Sequence, residues 1–366
     1  MKASARLSSV ALVASLLASC ATPSATESPV GSAATSPSSA ASATDEPTPT
    51  PGLSPEQVGW HRLAAEVSGV SPREDHTWTL TADGATAYLF GGRRSDGTAL
   101  DDLWAYDLAS GTWEEVAAAG PSARFGHNAA WVDGVGLVVF AGQASADFFN
   151  DLWAYDPAAD AWHPLPASGD LPVTRYGSCA AVGPDGRLWI SHGFTADGQR
   201  FADTRAYDFS TGTWTDETPP DQVPIARCLH ACWWTDEGAL TLYAGQTTGV
   251  TALGDRWRLT LGPRQGTHAW QELAAEGAPA ARNLYASARV ADGTLVFGGQ
   301  GLDGGFLADT WLLADDGTAR QLSPAGSAPP GRSGGELIAD ATGGRVLLFG
   351  GRDADGAMAD LWELDL

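Results

Sequence analysis

Basic residues are scarce in this chain. Lys and Arg together number 21 of 366 residues, against 44 Asp and Glu, for a formal net charge of −23. A surface that acidic repels phosphate backbones and anionic headgroups, so nucleic acid is not an expected partner. Internal apolar runs long enough to span a bilayer are lacking. No phosphate-binding Gly loop or nucleophile elbow is evident. The Asp-x-Asp-Gly of Asp353 to Gly356 resembles the start of a calcium loop, but the remaining ligands are missing. No cofactor and no metal is therefore expected.

The start of the chain is different. Lys2 and Arg6 precede an apolar run from Leu7 to Leu17, the pattern of a signal peptide, assigned to residues 1–19. The run ends Leu17-Ala18-Ser19-Cys20, which resembles the lipobox of bacterial lipoprotein precursors. That resemblance implies cleavage before Cys20, lipidation of its thiol, and export to the cell envelope with the lipid as the sole membrane contact. Loss of Lys2 and Arg6 would take the net charge to −25. Residues 20–54 are almost wholly Ala, Ser, Thr, Pro and Gly with a few acids. Such a segment cannot bury a core and is read as a disordered tether.

Residues 55–366 are repetitive. Leu89-Phe90-Gly91-Gly92 leads through a polar loop to Asp101-Asp102-Leu103-Trp104-Ala105-Tyr106-Asp107 and then Trp113. The second Gly of each copy falls at 92, 142, 193, 245, 299 and 351, a period of 50 to 54 residues. A period of this length holding several short strands marks a propeller or array. Each copy offers four strands. The first comes after Arg73, Arg124, Arg175, Arg227, Arg282 or Arg332. A tight turn such as Asp83-Gly84 joins it to an apolar second strand, since both turn positions tolerate positive φ. The third carries Trp-x-Tyr and the fourth the last Trp.

Together, the Gly pair closing the second strand, the spaced Tyr and Trp, and the Arg opening the first strand resemble the kelch-repeat family, from Val58 to the end. The resemblance implies an all-β, kelch-type β-propeller. WD repeats are shorter, no copy ends in Trp-Asp, and sialidase-type Asp boxes are missing. The recurring Trp and Tyr rings suit packing between blades. Six copies are present, but the chain stops at Leu366, soon after Asp360-Leu361-Trp362. The sixth copy lacks its fourth strand, and Gly59-Trp60-His61-Arg62-Leu63 is an orphan fourth strand upstream of the first Arg. A six-bladed ring is therefore expected whose last blade is closed by the N-terminal strand around Trp60, leaving no ragged edge.

Cys228 and Cys232 share one predicted strand, about 13 Å apart if extended, too far to bond. Cys179 could reach either across neighbouring blades. Three small buried thiols are the favoured arrangement.

In a propeller the first strands line the axis, so the six Arg residues are expected to ring one mouth and grip a carboxylate. The alternative for each is a bond to local carbonyls or to an Asp of its own or a neighbouring blade. Three residues on come His76, His127, Ser178, His230, Tyr285 and Gly335. His76, His127, His230 and Tyr285 join the six arginines as the candidate ligand-binding set. His at this position belongs to the ordinary kelch pattern, and galactose oxidase, a copper-using relative of the fold, has no matching ligand stretch here. Glu74, Asp75 and Glu336 are placed near the same mouth as solvated groups, and no catalytic residue is assigned. In peptide-binding kelch members the loops after the second strand also contribute, which here include Arg93, Arg94, Arg352, Phe148 and Phe194.

The expected function is a lipid-anchored, monomeric extracytoplasmic binding module for an extracellular protein, peptide or glycan, with an anionic group at the Arg-lined mouth. The alternative is a sugar-acid mutarotase or epimerase, or another carbohydrate-active kelch enzyme. Fold alone does not separate them.

Overall fold

A computed structural model describes residues 58–366 except 117–118, 250, 275–276 and 341. The signal peptide, Cys20 and the tether lie outside the described residues. So does the expected domain start at residue 55.

All regular elements among the described residues are strands, and most of them form six antiparallel four-stranded blades, with a few two-residue strands added at edges and loops. Blade 1 runs Thr77–Leu80, Thr86–Phe90, Leu103–Asp107 and Thr112–Val116. The first strands of the others are Asn128–Val132, Cys179–Val182, Ala231–Trp234, Ala286–Val290 and Glu336–Ala339. Second strands form the deepest layer. Leu89, Phe90, Leu137, Val139, Ile190, Leu242, Phe297 and Leu348 are all 0% exposed or nearly so. Their continuous apolar runs match strands covered on both faces by neighbouring blades.

The sixth blade closes as expected. Gly59–Ala64 pairs antiparallel with Leu361–Asp365, with Trp60 opposite Leu364 and Arg62 opposite Trp362. Trp60 is 1% exposed, and its ring meets Phe297 of blade 5 at 5.3 Å. The fourth-strand tryptophans do the same elsewhere: Trp113 meets Phe349, Trp162 meets Phe90, and Trp214 meets Phe140, each in the preceding blade. The recurring aromatics thus glue blade to blade. Short segments cover two outer edges: Ser168–Gly169 runs parallel to Thr213–Trp214, and Ala325–Gly326 parallel to Gly59–Trp60.

The Gly pair has a steric cause. The second member sits at φ of about 100°, as at Gly92 (99°) and Gly245 (100°). A Cβ at either would stand 2.7–2.8 Å from the Cβ of His76 or His230. The first member also lies in the left-handed region, even where it is Ala141, His192 or Ala244.

Two features depart from expectation. Cys179 and Cys232 form a disulfide, with Cα atoms 5.6 Å apart, and among the described residues Cys228 is the one free thiol, and it is buried. The expected three thiols are thus corrected: first strands of adjacent blades bring the two Cα atoms within bonding range. In blade 4 the loop after the second strand is itself paired, extending Leu240–Thr247 and Thr251–Thr260 until Leu253 reaches Arg282 of blade 5. The long final turn of that blade is a clasp. Its His268 is buried and bonds Glu217 of blade 3 at 2.9 Å, while Arg187 holds the other Glu217 oxygen at 2.6 Å.

Candidate functional site

The six repeated arginines are 0–1% exposed. Each guanidinium grips, in two bonds, the Asp that opens the third strand of its own blade. The partners are Asp102, Asp151, Asp203, Asp255, Asp309 and Asp360, at 2.6–3.0 Å. Nε donates to the carbonyl two residues earlier, and one Nη to the carbonyl of the first Gly-pair residue, as Arg73 does to Ser71 and Gly91. The second Asp oxygen also accepts the indole N–H of Trp104, Trp153, Trp257, Trp311 or Trp362. In blade 3 Arg205 takes that place at 2.9 Å. Burial pulls each of these Asp pKa values up, but the guanidinium hydrogen bonds and charge outweigh it and hold the carboxylates below the usual range. The expectation of a guanidinium crown at a mouth is therefore corrected for Arg73, Arg124, Arg175, Arg227, Arg282 and Arg332. They clamp the Gly-pair turn to the third strand inside each blade.

The next layer is also buried. His76, His127, His230 and Tyr285 are at most 9% exposed, and their rings wedge against the preceding blade. His76 meets Phe349 edge-on, and His127 meets Phe90 while its Nε2 lies 2.9 Å from Thr77 Oγ1. His230 faces His192. Tyr285 donates to the Tyr243 carbonyl at 2.7 Å and accepts from the Ala231 amide at 2.9 Å. Burial, reinforced by the nearby arginines, holds the three imidazoles well below their usual pKa, so they are neutral. Burial also raises the Tyr285 phenol. These side chains pack between blades, and all four also line the central cavity. Among the described residues no group of three or more His, Cys, Asp or Glu converges as a metal site.

Two residues beyond each Arg lies a feature that no repeat motif announced. Asp75, Gly126, Gly177, Leu229, Leu284 and Gly334 all have φ between 52° and 65°. The amide of each donates to the carbonyl of its counterpart in the preceding blade, at 2.7–3.1 Å, around the full circle. This ring of six backbone hydrogen bonds narrows the axis at the end where the first strands begin. Tyr176 crosses over Gly126, where any Cβ would overlap its ring, and its hydroxyl donates to Asp75 Oδ2 at 3.1 Å. Glu74 and Asp75, expected in solvent, are 2% and 6% exposed. Arg93 bonds both, and Arg352 bonds Glu74. Burial, then the charge of Asp75, pushes the Glu74 pKa up to about 7.

Below the ring lies a cavity of about 540 Å³ that runs along the first strands toward Leu80, Arg289 and Ala339. Small residues keep it open, including Ala129, Ala180, Ala231, Ala288 and Gly335. Glu336 faces it, its pKa pushed up to about 8 by burial and then by the charge of Asp75.

Above the ring, on the loop face, arginines and aromatic rings form an unbroken band. Arg93 lies over Phe125 at 4.7 Å, Phe125 meets Tyr176, Tyr176 meets Phe194, and Phe194 meets Phe148. Arg200 lies over Phe194 at 5.8 Å and bonds Gln246 of blade 4. Phe148, Phe194, Arg93 and Arg200 are half-buried, and Arg94 is exposed. Sequence reasoning placed Arg93, Arg94, Phe148 and Phe194 on these loops but missed Arg200 and the two rings that directly follow a repeat arginine, Phe125 and Tyr176.

A ring of six four-stranded blades, each locked by an Arg–Asp–Gly-pair clamp and closed by its own N-terminal strand, defines a kelch-type β-propeller. The chain belongs to the kelch-repeat family: the KLHDC2/KLHL20/DRC7 Kelch-repeats domain matches residues 52–240 and 218–366. It is 26% identical over 333 residues to Adagio-like protein 3 of Oryza sativa subsp. japonica, covering 83% of this chain and 52% of that protein. It is 27% identical over 206 residues to the F-box/kelch-repeat protein At1g51550 of Arabidopsis thaliana, covering 52% of this chain and 42% of that one. The chain thus spans about half or less of these curated relatives. A solved structure, that of YjhT, superposes with a TM-score of 0.63 at 18% identity, covering 81% of this chain and 95% of the other. That likeness concerns the fold. Propellers of this family with such relatives point to binding or interaction as the broad role.

Proposed function

We propose that this protein is an exported, lipid-anchored binding module that takes an extracellular protein, peptide or glycan on its loop face. The observation that carries the reading is the band of Arg93, Phe125, Tyr176, Phe194 and Arg200, which crosses several blades. Phe194, like Phe148, is half-buried there while Phe125 and Tyr176 are buried; aromatic rings flanked by arginines recur at protein and sugar contact surfaces, where stacking and desolvated polar contacts carry most of the energy. An acidic group on the ligand would meet Arg94, Arg200 or Arg352, not the internal arginines.

The rival enzyme reading relied on repeat arginines to hold an acidic sugar. Those guanidiniums are occupied by Asp partners, which withdraws that support.

Phe194→Ala with Arg200→Ala should abolish hits on a peptide and glycan array while leaving the thermal midpoint within a few degrees. Hits that survive the double substitution would sink the loop-face assignment. The anchor has its own check. Cys20→Ser should move the protein from the membrane to the soluble fraction, and retention in the membrane would refute lipidation at Cys20.

A further inference from the structure

We propose that the outer edge of blade 1 is a docking strip for an extended, basic segment of another protein, which pairs parallel to Thr112–Val116 and fills the gap beside it. The strip lies at the outer rim of the propeller and is separate from the loop-face band.

The molecule carries its own template for this contact. Blades 1 and 3 open their fourth strands with the same tripeptide, Gly111-Thr112-Trp113 and Gly212-Thr213-Trp214. In blade 3 the connection from blade 2 lies on that edge in parallel register. The Ser168 amide donates to the Gly212 carbonyl at 3.0 Å, and the Asp170 amide to the Trp214 carbonyl at 2.9 Å. The Tyr207 hydroxyl donates to the Pro166 carbonyl at 2.6 Å. Ala325–Gly326 covers the closing strand of blade 6 in the same way, with the Ala325 amide on the Val58 carbonyl at 2.8 Å. Both covers place a small residue and then Gly. Gly169 and Gly326 have φ of 77° and 83°, and a Cβ there would stand 2.5 or 2.8 Å from the Trp214 or Trp60 carbonyl.

Blade 1 lacks this cover. Its connection, Ala65 to Pro72, is two residues shorter than Leu165 to Thr174. It is also held elsewhere: the Val67 amide donates to the Ala359 carbonyl at 2.8 Å, and Gly69 packs against the Trp104 ring. Among the described residues neither the Gly111 nor the Trp113 carbonyl receives a backbone donor from outside its own sheet. Trp113 is half-buried, whereas Trp60, Trp162, Trp214 and Trp270 are buried. A gap of about 460 Å³ separates connection and edge, lined by Leu63, Val67, Tyr106, Leu108 and Trp113. Leu63 is 46% exposed. Free edge carbonyls beside a largely apolar gap are what an added strand needs.

Charge selects the partner. Glu114 and Glu115 on the edge strand and Glu66 on the connection are exposed. Arg345, which also lines the gap, is already paired with Glu363. The occupant is therefore an extended segment with a small residue and Gly, followed by basic side chains.

The test is fluorescence anisotropy of a labelled peptide amide, Leu-Pro-Ala-Ser-Gly-Lys-Leu, titrated with the full-length protein in non-ionic detergent. The peptide copies Leu165 to Leu171 with Asp170→Lys. Saturable one-to-one binding is expected, weakening as salt is added. N-methylation of the peptide's Ser amide removes the donor to the Gly111 carbonyl and should weaken binding by about tenfold. Glu114→Lys with Glu115→Lys, both at exposed positions, should leave the thermal midpoint unchanged and weaken binding by about tenfold. Absence of saturable binding, equal binding of the N-methylated peptide, or unchanged affinity in the folded double variant would each overturn the proposal. A dimer in sedimentation that excludes the peptide would give the edge to a second copy of this chain and overturn it as well.

Discussion

Arg332 shows what one residue of the repeat does. Its side chain is 1% exposed, and it spends its donors on Pro330, Gly350 and both oxygens of Asp360, itself 3% exposed. Removing one partner of a buried pair leaves the other charge uncompensated, at a cost of about 3–5 kcal/mol. Arg332→Ala should therefore lower unfolding free energy at pH 7 by about that amount in urea titration. Arg94→Ala, on the exposed loop, should cost under about 0.5 kcal/mol. The same titration carries a pH signature. The folded pKa of Asp360 is depressed, so its stabilisation is present above the unfolded value of about 3.9 and is lost as pH falls through the folded one. Without Arg332 that acid-side loss should shrink. Equal acid limbs in both proteins would contradict the clamp.

At the level of strands, the disulfide matters most. Cys179 opens the first strand of blade 3 and Cys232 sits in the first strand of blade 4, 53 residues apart in sequence. Reduction frees a long loop in the unfolded chain and unties two inner strands, costing about 2–4 kcal/mol. A reductant should lower the urea midpoint accordingly, and Cys179→Ala should make the protein insensitive to it. No shift on complete reduction, checked by thiol titration, would contradict the bridge as a structural tie. Strand order, hairpin turns and the Gly pairs were all legible, because each rests on local sterics and alternation. The bridge was not, since two cysteines 53 residues apart meet only once blade spacing is set. The paired hairpin of blade 4 was missed for a similar reason, as its register reaches into blade 5.

For the whole molecule, closure is decisive. Trp60 buries its ring against Phe297, and its indole lies 3.3 Å from Thr310 Oγ1. Emptying such a site costs about 3–5 kcal/mol. Trp60→Ala should reduce stability by that much and raise proteolysis near the C-terminus, where Leu361–Asp365 loses its edge partner. Protection equal to the native protein in limited proteolysis would argue against a ring fastened at Trp60.

The chain by itself determined how many blades form, where they begin, and which strand closes them. Those are consequences of period, turn chemistry and apolar alternation, all of which act over a few residues. Only the folded ring decided what the recurring polar groups do. Arg124 and Asp151 lie 27 residues apart, and folding makes them partners, which turned a supposed ligand crown into internal clamps. Asp75 and Glu336 come from opposite ends of the domain, and the same closure sets them together at a cavity floor. Burial and pairing are properties of three-dimensional neighbours, so a side chain's availability to a ligand could be settled only there.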